Sequence, residues 1–203
     1  MADIVGSREK DQATLMKGFK TVIKAVNDKF QDKIISPLTI TLGDEFQGVI
    51  IDLPWALEII INIEEEIIHS RSLFKMRYVL FKGEIETSIN KTIAYEMLGD
   101  GLTKARQLLE NSKSTNDRFY IDVKNTAQSN ALLDAFRVFQ GIVDDWQIEK
   151  NWKIFSTFIE LKDYKLVAES LDKDRSLMWR REKTGKIKEY LSIKSVINYI
   201  GKQ

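Results

Sequence analysis

The chain has no cysteine, one histidine (His69) and two prolines, Pro37 and Pro54, among its 203 residues. Without cysteine there are no disulfides and no thiolate metal sites, which is compatible with a cytoplasmic location. With one histidine, an imidazole zinc centre is excluded. Any metal site must then use oxygen ligands, the preference of Mg²⁺ or Mn²⁺. No run of 18 uncharged apolar residues occurs, so no membrane span is expected. The N-terminus lacks a basic-then-apolar order, so no signal peptide is expected. Neither sign of charge dominates: 31 Lys/Arg face 30 Asp/Glu, a net of +1. The balance is uneven along the chain, however. Residues 151–203 carry 12 Lys/Arg against 7 Asp/Glu, a net of +5, which leaves 19 against 23, a net of −4, in residues 1–150. A basic tail on an acidic body suits an anionic partner, although so small a difference also fits an inert surface. The hydrophobic fraction of 43% and charged fraction of 30% describe a globular chain long enough for two small domains.

What is present centres on Thr39–Ile51, two short apolar-alternating segments joined at Gly43-Asp44. Gly43 can take the positive φ of a two-residue hairpin turn. Asp44 then lies at the tip with Glu45 beside it. Two readings are open. Gly-Asp is an ordinary turn composition, and a carboxylate fixed at such a tip is also placed to hold a divalent cation.

In chain order, Ala2–Val5 reads as a strand broken by Gly6-Ser7, followed by a helix over about 11–30. In that helix Leu15, Phe19, Val22, Ile23 and Val26 recur at helical spacing. A strand, Gly-Ser and a helix start place N–H groups where a phosphate can dock. The hairpin follows at 36–51. Pro54 opens a helix that runs to His69, which reads as a helix-end residue rather than a catalytic base. Residues 74–81 read as a strand that Lys82-Gly83 turns into a second hairpin with Glu84–Thr87. A helix over 102–113 and a strand over 118–123 complete the pattern β α ββ α ββ α β, a mixed sheet with packed helices. From about 125 the periodicity is helical throughout. A short helix at 164–171, a turn at 172–175 and a basic helix at 176–183 outline a helix-turn-helix. Ser176 is the expected cap of that last helix, and Leu177 and Trp179 read as core. Arg175, Arg180, Arg181 and Lys183 are the expected DNA contacts, and a plain helical bundle is the competing reading.

Four segments resemble the class III nucleotide cyclase catalytic domain. ADIVGSRE is similar to its first strand, with Asp3 at the first metal-binding aspartate. ITLGDEFQGVI is similar to its hairpin, with Asp44 at the second. MRYVLFKGEIET is similar to a later strand through Arg77, Gly83 and Glu84, and GDGLTKARQLLE to a helix that carries Ala105 and Arg106. The hairpin also resembles the signature turn of diguanylate cyclases. Over nearly its whole length the chain resembles the SatD family of bacterial proteins, through the opening Asp-Ile-Val-Gly-Ser-Arg, the Gly-Asp-Glu-Phe-Gln-Gly hairpin and the helical C-terminal segment.

The resemblance implies an α+β fold with a ferredoxin-like, nucleotide cyclase-like domain at 1–124. A connecting helix at 125–148 and a helix-turn-helix-like domain at 149–203 would follow. It implies Asp3, Asp44 and Glu45 as ligands of Mg²⁺ (or Mn²⁺), and Gly6, Ser7 and Arg8 as holders of a nucleoside triphosphate. Arg106 is the catalytic residue if the domain is active. It further implies a homodimer. Carboxylates on neighbouring strand ends, about 4.8 Å apart, could share metals roughly 4 Å apart. The departures are specific. Ile40 stands where cyclases carry a purine-reading lysine, Leu102 where they carry an asparagine, and Val79 where they carry a glycine. Loss of one oriented polar group can lower a rate by about 10²–10³, so the expected protein is a nucleotide-binding or sensing regulator with a degenerate cyclase-like domain. An active Mg²⁺-dependent cyclase or nucleotidyl transferase and a non-catalytic interaction scaffold are the alternatives.

Overall fold

The computed structural model of the protein describes residues 1–9 and 11–203. Among them are five strands and eight α-helices in an α+β arrangement. The strands are β1 (Ala2–Ile4), β2 (Ile34–Ile40), β3 (Glu45–Ile50), β4 (Met76–Phe81) and β5 (Phe119–Asp122). The helices are α1 (Gln12–Lys29), α2 (Leu53–His69), α3 (Asp100–Ser112), α4 (Thr126–Asp144), α5 (Ile148–Leu161), α6 (Tyr164–Leu171), α7 (Arg175–Thr184) and α8 (Ile187–Gly201). The sheet is mixed, with order β2-β3-β1-β4-β5. Its first three contacts are antiparallel, and β4 pairs with β5 in parallel. No helix among the described residues is long and apolar enough to cross a membrane.

Local chemistry sets the helix starts. Asp11 caps α1 by accepting from the Thr14 N–H at 2.9 Å, and Asp52 caps α2 by accepting from the Trp55 N–H at 3.0 Å, with Pro54 in the first turn. The two helices cover one sheet face, where Phe19, Val26, Leu57 and Ile61 meet Ala2, Ile4, Phe46 and Tyr78 in one apolar cluster. α3 packs on the opposite face through Ala105 and Leu109 against Val79.

The main core continues from the sheet through α4 into α5–α8 without a break. Trp146 stacks on Phe155 at 4.7 Å, and its indole N–H donates to the Gly185 carbonyl at 2.8 Å. Tyr190 of α8 donates to Glu65 of α2 at 2.7 Å. A buried charge cluster ties the sheet to both helical layers. Arg118 donates to both Glu64 oxygens at 2.9 and 2.8 Å, to the Met76 carbonyl at 2.7 Å and to Asp144 at 3.0 Å. Burial and the neighbouring Glu64 carboxylate push the Tyr78 hydroxyl, which donates to Glu64, well above its usual range.

Three local expectations are corrected. Residues 84–87 are not a strand, because the chain after β4 crosses the start of α3. There the Gly101 N–H donates to the Glu84 carbonyl at 3.0 Å, and a Cβ on Gly83 would lie 2.6 Å from the Gly101 Cα. β5 takes the place beside β4 instead. The β2–β3 connection is longer than two residues, closing with Thr41 N–H on the Glu45 carbonyl at 2.9 Å, although Gly43 does take φ +84°. The cap of α7 is Asp174 rather than Ser176. Its carboxylate accepts from the Ser176 and Leu177 N–H groups at 2.7 and 3.1 Å.

Candidate functional site

Side chains alternate along a strand, so with Ala2 and Ile4 turned into the core, Asp3 faces outward. In the sheet register Asp3 lies opposite Glu45 on β3 and opposite Arg77 on β4. Three charged side chains therefore form a row across three strands. All are buried: Asp3 is 5% exposed, Glu45 6% and Arg77 7%. Arg77 Nη1 donates to both Asp3 oxygens at 3.1 and 3.0 Å. Two further cations come from α3 and its end. Arg106 lies 3.4 Å from Glu45 Oε2. Lys113 lies 2.8 Å from Glu110, 3.6 Å from Glu45 and 4.0 Å from Asp3. Both are about two-fifths exposed.

The electrostatics are finely opposed. Burial raises the Asp3 carboxyl above its ordinary range. Arg77 and Lys113 pull it back, and the Glu45 and Asp44 charges push it up again. The hydrogen bond to Glu110 raises the Lys113 ammonium, with Glu45 and Asp3 adding to it. Among the described residues, Glu45 Oε2 and Arg77 Nε are buried and have no hydrogen-bond partner.

Asp44 lies at the end of the β2–β3 connection. Its carbonyl accepts from the Ile4 N–H at 2.9 Å, and its carboxylate accepts from the Ser7 hydroxyl at 2.5 Å. Ser7 and Arg8 form a 3₁₀ turn with Glu9, just after Gly6 at φ +65°. Arg8 is exposed. The start of α1 offers less to a phosphate than expected, because the Thr14 N–H is already taken by Asp11. The fold thus brings Asp3, Asp44, Glu45, Ser7 and Arg106 to one end of the outer face. Sequence reasoning missed Lys113 and the counter-ion role of Arg77. The alternation of Met76–Phe81 points to Arg77, but only the strand register pairs it with Asp3.

The residues as arranged fit a pair of Mg²⁺ ions poorly. Among the described residues no group of three or more His, Cys, Asp or Glu side chains is placed to hold a metal, and the Asp3 carboxylate is engaged by Arg77. The site carries its own cations.

The four expected DNA contacts lie elsewhere, on α7, which packs on α6 and α8. Arg175, Arg180, Arg181 and Lys183 are all exposed, and only Met178 and Glu182 of this helix are buried. Leu177 and Trp179, expected in the core, are 37% and 47% exposed. The turn before α7 holds Asp172 at φ +51°, where a glycine is the easier residue.

A family model described as SatD family matches residues 1–200. No curated protein and no solved structure matches the chain.

Proposed function

The chain belongs to the SatD family, and from the site on its outer sheet face we propose a nucleotide-binding regulator that no longer runs a cyclase reaction. The observation that carries this is the pair of half-exposed cations, Arg106 and Lys113, over the buried Asp3–Glu45–Arg77 row. Such cations can turn from buried carboxylates to an incoming phosphate without leaving the site uncharged. The Gly6-Ser7-Arg8 turn and Asp44 border the same end of β1. The spatial order β4-β1-β3-β2, reached through β α ββ α β, is the order that a ferredoxin-like domain would have, and it supports the cyclase-like reading of the N-terminal segment. Mg²⁺ enters as the ion that a triphosphate brings, met by Asp44, whose carboxylate accepts only the Ser7 hydroxyl among the described residues. A homodimer belongs to the same proposal. The loss of the purine-reading and orienting positions at Ile40 and Leu102 accounts for recognition without efficient turnover.

The C-terminal segment carries the second half of the proposal. α6, a three-residue turn and α7 would form a helix-turn-helix-like pair, whose second helix carries four exposed cations, Arg175, Arg180, Arg181 and Lys183. That exposure supports DNA as the regulator's output.

Isothermal titration with Mg-ATP and Mg-GTP tests the first half. Saturable heat in the wild type that is lost in Asp44→Ala is expected; no heat, or equal heat in both, leaves an interaction scaffold. Cyclic or linear dinucleotide products that vanish in Asp3→Ala would establish the enzyme instead. DNA retention against salt tests the second half. Replacing Arg180 and Arg181 with Ala should make the salt slope shallower by about 2, and an unchanged slope would remove α7 from the interface.

A further inference from the structure

α7 runs from Arg175 to Thr184 and turns only Met178 and Glu182 inward. Trp179 stands on its outer side and is 47% exposed. The other three tryptophans are each packed on a partner. Among the described residues Trp146 stacks on Phe155, Trp55 lies edge-on to Phe30 with the Lys33 ammonium over its ring, and Trp152 lies under the Arg71 guanidinium. Trp179 has no ring or cation packed on it among the same residues. Residues four apart are neighbours on a helix surface, about 6 Å apart along the axis. Arg175 stands one turn before Trp179, Lys183 stands one turn after it, and Arg180 adjoins it. All three are exposed, and the one carboxylate of the helix, Glu182, is buried. The outer side of α7 is thus an aromatic ring between cations, with no exposed acid of its own.

We infer that α7 binds single-stranded nucleic acid, with an unpaired base stacked on the Trp179 indole and the adjoining phosphates on Arg175 and Lys183. The inference rests on the reading of α7 as the DNA contact and names the form of nucleic acid that α7 takes. The cations select a polyanion, and the ring selects what lies between its charges. An indole offers a flat apolar face, and every base has a face to set against it. In a duplex those faces are covered by the neighbouring pairs, and the grooves present base edges, which polar side chains read. The start of the helix argues the same way. A recognition helix meets the base edges of the major groove with its N-terminal residues. Here that end carries Asp172 and Asp174, both exposed, and the Asp174 carboxylate already takes the Ser176 and Leu177 N–H groups. Two carboxylates at that end repel the phosphates that wall a groove. Trp179 stands more than one turn further along.

The test is fluorescence anisotropy of the full chain with three labelled probes: a thymidine oligonucleotide of about 12 nucleotides, a strand of the same length without bases, and a duplex of that length. The base-bearing single strand should bind most tightly. Trp179→Ala should weaken that binding by about 5- to 150-fold, the value of one stacked base. It should leave the salt slope unchanged, because no charge is lost. Unchanged binding of the baseless strand by the same variant shows that it is folded. Trp179→Phe should keep most of the affinity. Replacing Arg175 and Lys183 together with Ala should make the salt slope shallower by about 1.4. Equal binding of the strands with and without bases, a preference for the duplex, or full affinity in Trp179→Ala would overturn the inference while leaving α7 as a DNA contact. No binding of any probe would remove both readings.

Discussion

At the scale of single residues the outer face is governed by the cost of burying charge. Arg77 is the nearest compensation that Asp3 has, and Asp3 the nearest that Arg77 has. Removing one partner of such a pair is more damaging than removing both, because the survivor is left buried and uncompensated. Arg77→Met should therefore lower stability by about 3–5 kcal/mol in urea unfolding at neutral pH, and adding Asp3→Leu should recover much of the loss. The pH dependence has a definite sign. The folded-state pKa of Asp3 is raised, so the folded chain holds this proton more tightly than the unfolded chain does. That contribution is fully present below the unfolded value and is lost as pH rises through the folded value. Without Arg77 the upward push is stronger, so the deficit of Arg77→Met should shrink as pH falls from about 7 to about 4. A deficit that is constant across that range would contradict the pairing.

At the scale of elements, caps and welds show what a sequence displays and what it hides. The bounds of α1, α2 and α6 were legible, because an Asp before the first turn and apolar residues at helical spacing are local signals. The cap of α7 was misassigned by two residues because Asp174 and Ser176 are both good caps, and only geometry shows which accepts the N–H groups. Asp174→Ala should speed hydrogen exchange at the Ser176 and Leu177 amides, while Ser176→Ala should leave the Leu177 amide protected. The hydrogen bonds at this cap hold the Asp174 carboxyl below its ordinary range. Its stabilisation of α7 is thus present above the unfolded pKa and is lost as pH falls through the lowered one. The Glu64–Arg118 pair was not legible at all. It joins α2 to the residue just before β5 across 54 positions of sequence, and α4 joins it through Asp144. Glu64→Gln should cost about 3 kcal/mol in thermal or urea unfolding. A change within a few tenths would mean that the pair is not the weld between the helical layers.

At the scale of the whole molecule, the outer face gathers a charge row and two half-exposed cations, while an exposed basic helix sits in the C-terminal helical layer. Neighbouring strand ends were expected to bring Asp3 to Asp44; the strand register sets Glu45 opposite Asp3, and the Asp44 carboxylate accepts from Ser7. The place of Lys113 in the same cluster depends on how α3 lies across the sheet, which no short stretch of sequence records. The failed expectation of a strand at 84–87 has the same origin. Its alternation is real, but close contact between Gly83 and Gly101 commits those residues to crossing α3. The central claim is that this face recognises a nucleotide through Arg106, Lys113 and Asp44. Crystals soaked with Mg²⁺ and a non-hydrolysable triphosphate test it most directly. The account predicts phosphate density between Asp44 and α3, with Lys113 drawn away from Glu45 toward that density. Lys113 still on Glu45, with no nucleotide density on this face at saturating ligand, would contradict it.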